Sequence, residues 1–178
     1  NAKPPIKGGK YSIPESQMQA FNTLYYKNVF TQRKAEYLTE KQLKDGTGPI
    51  AVDFDFRYSS EIQERQHNQE HIQDMIQLYQ ATLSELVIIE EGKTFPIWVF
   101  EKPNVNCQSS EYTKDGIHMI IGIQADHTLQ QMLRNRILKK IGDYWSDLPL
   151  TNSWEDVLDS CISKGTTNWQ LYGSKKPN

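Results

Sequence analysis

Alternation of strand-like and helix-like segments along the 178 residues predicts an α/β or α+β sheet protein. Three observations carry that prediction: strict apolar alternation over residues 50–58, a helical apolar stripe over 61–86, and branched residues throughout 116–123. In chain order, Pro4, Pro5, Gly8, Gly9 and Pro14 make residues 1–14 an extended lead, and from Pro14 a helical pattern runs through Met18, Phe21, Tyr25 and Val29. The turn Asp45-Gly46-Thr47-Gly48-Pro49 ends it and precedes the first strand. The long helix puts Ile72, Met75, Ile76, Tyr79, Leu83 and Leu86 on one stripe. A strand over 95–101 follows, then a polar loop with Cys107, then the strand 116–123. Asp126 is a suitable N-cap for a helix that turns Leu129, Met132, Leu133, Ile137, Ile141 and Trp145 inward and stops at Pro149. A short helix over 154–162, a Lys164-Gly165 turn and a strand over 168–172 complete the chain, with no internal repeat.

Composition narrows the function classes. Lys and Arg number 20 against 22 Asp and Glu, a formal charge of −2, which excludes a protein that coats nucleic acid by bulk charge and confines any such contact to a local patch. Hydrophobic residues at 37% supply a core, while a mean hydropathy of −0.68 implies a polar exterior. No apolar run approaches the ~18 to 20 residues of a membrane span, and residues 1–10 lack the apolar stretch of a signal peptide. Cys107 and Cys161 are too few for a disulfide framework, so a reducing compartment is the simpler expectation.

Ala51-Val52-Asp53-Phe54-Asp55-Phe56-Arg57 is the sharpest local feature. On a strand Val52, Phe54 and Phe56 share a buried face, and Asp53, Asp55 and Arg57 share the other, with the two carboxylates ~7 Å apart. Such a pair suits divalent cations, whose charge removes the repulsion; the alternative is a half-exposed strand that carries Asp twice, although Asp is depleted in strands. In Lys114-Asp115-Gly116-Ile117-His118, the phase puts Ile117, Met119, Ile121 and Ile123 in the core and leaves Gly116, His118, Ile120 and Gly122 opposite. Glycines on both sides of His118 would let a ligand approach the backbone, and an imidazole near a lysine suits a phosphate; a structural histidine is the alternative. Asp159, after Val157 and Leu158, would be a third carboxylate or merely a helix cap, and Gly173-Ser174-Lys175-Lys176 would offer backbone donors and two cations or merely a charged tail.

His67-Asn68-Gln69-Glu70-His71 matches the string of inverted zinc peptidases, with two histidines one helical turn apart. Gln63, Gln66, Gln69, Gln73 and Gln77 predict instead a solvated helix surface there, and no third ligand stands out. A zinc hydrolase using His67, Glu70 and His71 is therefore kept only as an alternative.

Taken in order, Asp53-Phe54-Asp55, Lys114 to His118, Asp159, and Asn168 to Lys176 resemble the successive motifs of the archaeo-eukaryotic primase superfamily, closest to the amino-terminal primase segment of large DNA virus primase-helicases. The resemblance spans about Gly8 to Lys176. It implies an α+β primase-like fold, a mixed sheet with an RRM-like catalytic module flanked by helices, with residues 1–48 a leading helical segment and 49–178 the catalytic core. It implies Asp53, Asp55 and Asp159 as catalytic, metal-holding carboxylates for Mg²⁺ or Mn²⁺. Lys114, Gly116, His118, Asn168, Ser174, Lys175 and Lys176 would bind the incoming nucleotide. Arg57, Arg134, Arg136, Lys139 and Lys140 are candidates for the template backbone, with a solvated helix surface as the alternative for the four late ones.

The activity so implied is primer synthesis from nucleoside triphosphates on single-stranded DNA, in the host cytoplasm or a viral replication site. A helicase part of the parent protein would lie outside these residues. A catalytically weak nucleotide- or nucleic-acid-binding module is the alternative from another class. Two positions depart from cellular primase-polymerases: Gly116 stands in a serine slot, and Gln170 stands where an arginine follows Asn-aromatic.

Overall fold

The computed structural model describes residues 8–43 and 45–176. Its helices are α1 (Glu15–Tyr26), continued by a π-helical turn (Lys27–Thr31), α2 (Gln69–Ser84), α3 (His127–Leu138), α4 (Ile141–Tyr144), α5 (Trp154–Val157) and α6 (Ser160–Ser163). Its strands are β1 (Thr39–Glu40), β2 (Gly48–Ser59), β3 (Ile97–Glu101), β4 (Tyr112–Ala125) and β5 (Trp169–Gln170). The chain divides into two compact units, one formed by residues up to 41 with those from 168 onward, the other by residues 42–167. β5 pairs antiparallel with β1, Thr39 opposite Gln170, so the residues from 168 onward belong with the leading segment in one unit.

In the smaller unit the expected first helix is present but buries no residue fully. Tyr25 donates from its hydroxyl to the Tyr172 carbonyl at 2.8 Å, and Phe30 stacks on Tyr172 at 5.5 Å. Gly173 has φ +86°, and a Cβ there would meet Val29 at 2.7 Å, which explains why a glycine makes this turn. Residues 1–7, including Pro4 and Pro5, lie outside the described residues.

The larger unit is a three-stranded antiparallel sheet of order β2-β4-β3. Since β2 and β3 both run antiparallel to β4, they are parallel to each other, joined across it by α2 in a split β-α-β connection. The pairs are antiparallel throughout the described residues, where a mixed sheet was expected. The alternation read from sequence holds: Ile50, Val52, Phe54, Phe56 and Tyr58 are buried, and Ile117, Met119 and Ile121 stand beside them. Against that face lie Ile72, Met75, Leu78, Tyr79 and Leu83 of α2, Leu133 and Ile137 of α3, and Trp145, whose ring meets Phe54 and Phe56 edge-on at 5.0 and 5.4 Å. The side chains of the opposite face, among them Asp53, Asp55, Arg57, Lys114 and His118, are half-buried or exposed, and this face holds the candidate site.

Three elements differ from expectation. Helix α2 begins at Gln69 rather than 61, because Arg65 and His67 are drawn into a polar network beneath the sheet and Asn68 caps the helix, accepting from the amides of Glu70 and His71. Helix α3 stops at Leu138, well before Pro149, and leaves Met132 exposed. The segment 154–162 is two single turns separated by Leu158, which forms an antiparallel bridge to Phe54.

Candidate active site

Strand register assembles the site. Asp53 lies opposite His118, Asp55 opposite Gly116 and Arg57 opposite Lys114, so residues separated by some sixty positions share the non-core face of the sheet. His118 Nε2 is 3.2 Å from Asp53 Oδ1, both side chains partly exposed. The third aspartate arrives on the outer edge of β2: with Leu158 bridging Phe54, the amide of Asp159 donates to the Asp53 carbonyl at 3.1 Å. Antiparallel pairing places Asp159 opposite Asp53, hence on the same side. Its carboxylate accepts from the Cys161 amide at 2.8 Å, so Asp159 caps α6.

Two residues that sequence reasoning missed hold this edge in place. Asn152 donates from Nδ2 to the Asp55 carbonyl at 2.9 Å and accepts at Oδ1 from the Arg57 amide at 3.1 Å, a side chain standing in for a strand. Tyr112 lies under two cations, Arg57 Cζ and Lys114 Nζ each 5.3 Å from its ring centroid. Attraction to the ring face lets two like charges stand as neighbours on the strand. Nothing in periodicity marks either residue, since both roles depend on register.

The two glycines have a different reason from the expected one. Gly116 is buried, and a Cβ there would come within 2.5 Å of the Phe54 carbonyl; a Cβ at Gly122 would meet Pro96 at 2.8 Å. Close packing inside the sheet therefore requires both glycines.

Behind the site, on the core face, Asp115 is fully buried and accepts two bonds from Arg65, at 2.9 and 3.3 Å. Arg65 also reaches Glu101 at 3.0 Å, and His67 Nε2 lies 2.8 Å from the same carboxylate. The hydrogen bond to Asp115 holds the Arg65 guanidinium above its ordinary value, and burial pushes His67 down despite its acidic neighbours. The network ties the ends of β3 and β4 together directly beneath Gly116.

His67 and His71 are buried, not on a solvated helix surface as expected. His67 precedes α2, and His71 Nε2 faces Asp147 at 3.1 Å, so the one-turn histidine pair of a zinc site does not form. Of the basic helix residues, Arg134 donates to the Leu158 carbonyl at 2.9 and 2.6 Å and so clamps the segment that bears Asp159. Arg136 and Lys140 pair with Glu85 of α2 at 2.9 and 3.2 Å, while Lys139 is exposed. Arg134 is thus engaged inside the unit, while Arg136, Lys139 and Lys140 keep half-exposed or exposed side chains.

In the smaller unit, Ser174 is buried with its hydroxyl 2.8 Å from that of Tyr25 and accepting from the Leu38 amide at 3.1 Å. The Ser174 and Lys175 amides donate to the Leu171 and Glu36 carbonyls, at 2.9 and 2.8 Å. These two backbone donors of the turn are therefore engaged within the unit, where free donors were expected. Gln170 donates to the Ser174 carbonyl, Asn168 donates to the Thr39 hydroxyl at 3.2 Å, and the Lys175 and Lys176 side chains are exposed. β5 pairs with β1, not with the strand of His118, whose two neighbours in the sheet are β2 and β3.

Among the described residues no three or more His, Cys, Asp or Glu side chains are grouped so that they could hold a metal ion, so Asp53, Asp55 and Asp159 do not form a ready ligand set. The donor set is nevertheless oxygen-rich and on one face, and Mg²⁺ takes one or two carboxylates, water and substrate phosphate in preference to an all-protein cage. Among the described residues no helix is long and apolar enough to cross a membrane.

The family model described as C962R protein N-terminal AEP domain matches residues 4–178. No curated protein matches the chain.

Proposed function

The chain belongs to that family of archaeo-eukaryotic primase domains, and from this premise we propose that it is a DNA primase that makes short primers from nucleoside triphosphates on single-stranded DNA, in the primase part of a viral-type primase-helicase. The observation that carries the reading is the register row of Asp159, Asp53 and His118, with Asp55 one step along the strand. The sheet order, with Leu158 bridging the outer edge of β2, supports an RRM-like catalytic module.

Asp53, Asp55 and Asp159 would hold Mg²⁺ or Mn²⁺. Such an ion, when bound, lowers the pKa of a 3′-hydroxyl and neutralises triphosphate charge. Lys114 and Arg57 draw the phosphates toward the face, and Tyr112 keeps both cations in place. In the reaction the 3′-oxygen forms a bond to the α-phosphorus as the bond from that phosphorus to pyrophosphate breaks, and the hydroxyl proton leaves to solvent. His118, held by Asp53, is placed to donate a hydrogen bond to a phosphate oxygen. The Asp115–Arg65 pair keeps β4 in register beneath these groups.

The test is primer synthesis on a single-stranded template with labelled nucleotide in Mg²⁺ and Mn²⁺. Product from the wild-type chain supports the reading, and binding of nucleotide without product would favour a catalytically weak binding module.

A further inference from the structure

Four register rows cross the non-core face in sequence. The first is cationic, Arg57 beside Lys114, and the second holds Asp55 beside Gly116. The third joins Asp53, His118 and Phe100 across all three strands, and the fourth joins Ala51, Ile120 and Trp98. Trp98 is 49% exposed, an unusual placement for the largest side chain, on a strand at the free edge of the sheet. From Lys114 to Ile120 the rows span six residues, ~20 Å at ~3.3 Å each. Along that distance the surface passes from cations, through carboxylates, to aromatic rings.

A nucleoside triphosphate has the same polarity: a polyanion at one end, a flat aromatic base at the other, and the reacting phosphorus between. We propose that Trp98, with Phe100 beside it, is the stacking platform for the base of the incoming nucleoside triphosphate, whose phosphates lie toward Arg57 and Lys114. The inference rests on the nucleotidyl-transfer reading and adds a base subsite to it. Stacking on an indole accepts every base, because each presents a π face, so the platform would grip the nucleotide without selecting among bases. The row that holds Trp98 offers apolar Ala51 and Ile120 as its other members, suited to a base and not to a phosphate.

The experiment measures equilibrium binding of a nucleoside triphosphate, of inorganic tripolyphosphate and of a single-stranded oligonucleotide, each with Mn²⁺, to the full chain and to Trp98→Ala and Trp98→Phe. Thermal midpoints verify that both variants fold. Trp98→Ala should weaken nucleoside triphosphate binding roughly 5- to 150-fold while leaving tripolyphosphate and oligonucleotide binding unchanged. Trp98→Phe, which keeps a stacking ring, should stay near wild type. Unchanged nucleoside triphosphate binding in Trp98→Ala, or loss confined to the oligonucleotide, would overturn the platform while leaving the proposed function standing. Equal losses in Trp98→Phe and Trp98→Ala would also overturn it. A wild-type chain that binds neither nucleoside triphosphate nor tripolyphosphate would overturn the proposed function, and the platform with it.

Discussion

Asp53 has two loyalties, an ion pair with His118 and, in the proposed chemistry, a divalent cation. Both partners of that ion pair are partly exposed, so its contribution to stability is small, within about 1 kcal/mol. Asp53→Asn should therefore fold with a thermal midpoint close to wild type, and Asp55→Asn likewise because its side chain is exposed. Each should lower primer synthesis by at least ~10³-fold, since several kcal/mol of transition-state charge stabilisation depends on the carboxylate. Gly116 supplies a contrasting prediction. Replacing it with serine restores the residue of cellular relatives, yet a Cβ would press within 2.5 Å of the Phe54 carbonyl. Gly116→Ser should thus destabilise by about 1 to 3 kcal/mol in urea unfolding and give no gain in synthesis. A stable, more active variant would show that the glycine is dispensable.

At the scale of elements, the outer edge of β2 is completed by a side chain and one bridge instead of a regular strand. Asn152→Ala removes two hydrogen bonds to the segment between Asp55 and Arg57 and should cost about 1 to 2 kcal/mol. It should also lower synthesis, because Asp55 loses its backbone anchor; an intact rate would mean that the edge holds without it. The polar network behind β4 makes a second prediction. Because burial lowers the His67 pKa below the ordinary 6.5, the unfolded chain takes the proton first as pH falls. Stability from this group is complete above about pH 6.5 and is lost as pH falls toward the lower folded value. Urea midpoints at pH 7.5, 6.5 and 5.5 should fall more steeply for wild type than for His67→Gln, by at most ~1.4 kcal/mol per pH unit. Equal slopes would show that His67 does not carry this dependence.

These elements also show what was legible in the sequence. The faces of β2 and β4 follow from a period of two, so the Asp53–Asp55 pair and the placement of His118 were readable from residue alternation alone. The start of α2 was not: Arg65 and His67 look like polar helix residues, yet His67 is buried and Arg65 half-buried because Asp115 needs partners beneath the sheet. Tyr112, Asn152 and Trp98 were illegible for the same reason, since their meaning lies in cross-strand register. The clamping role of Arg134 was not readable either, because its partner, the Leu158 carbonyl, leaves no mark on local pattern.

Across the whole molecule, the three carboxylates, the histidine and the cationic row all belong to the unit formed by residues 42–167, while the exposed Lys175 and Lys176 belong to the other. The central claim is that the carboxylate face catalyses templated nucleotidyl transfer. The most direct measurement is extension of labelled nucleotide into primers on single-stranded DNA with Mn²⁺, wild type beside Asp53→Asn of matched thermal midpoint. Primers of two or more nucleotides from wild type, and none from Asp53→Asn, are expected; equal product from both, or none from either while nucleotide and template are bound, would contradict the claim.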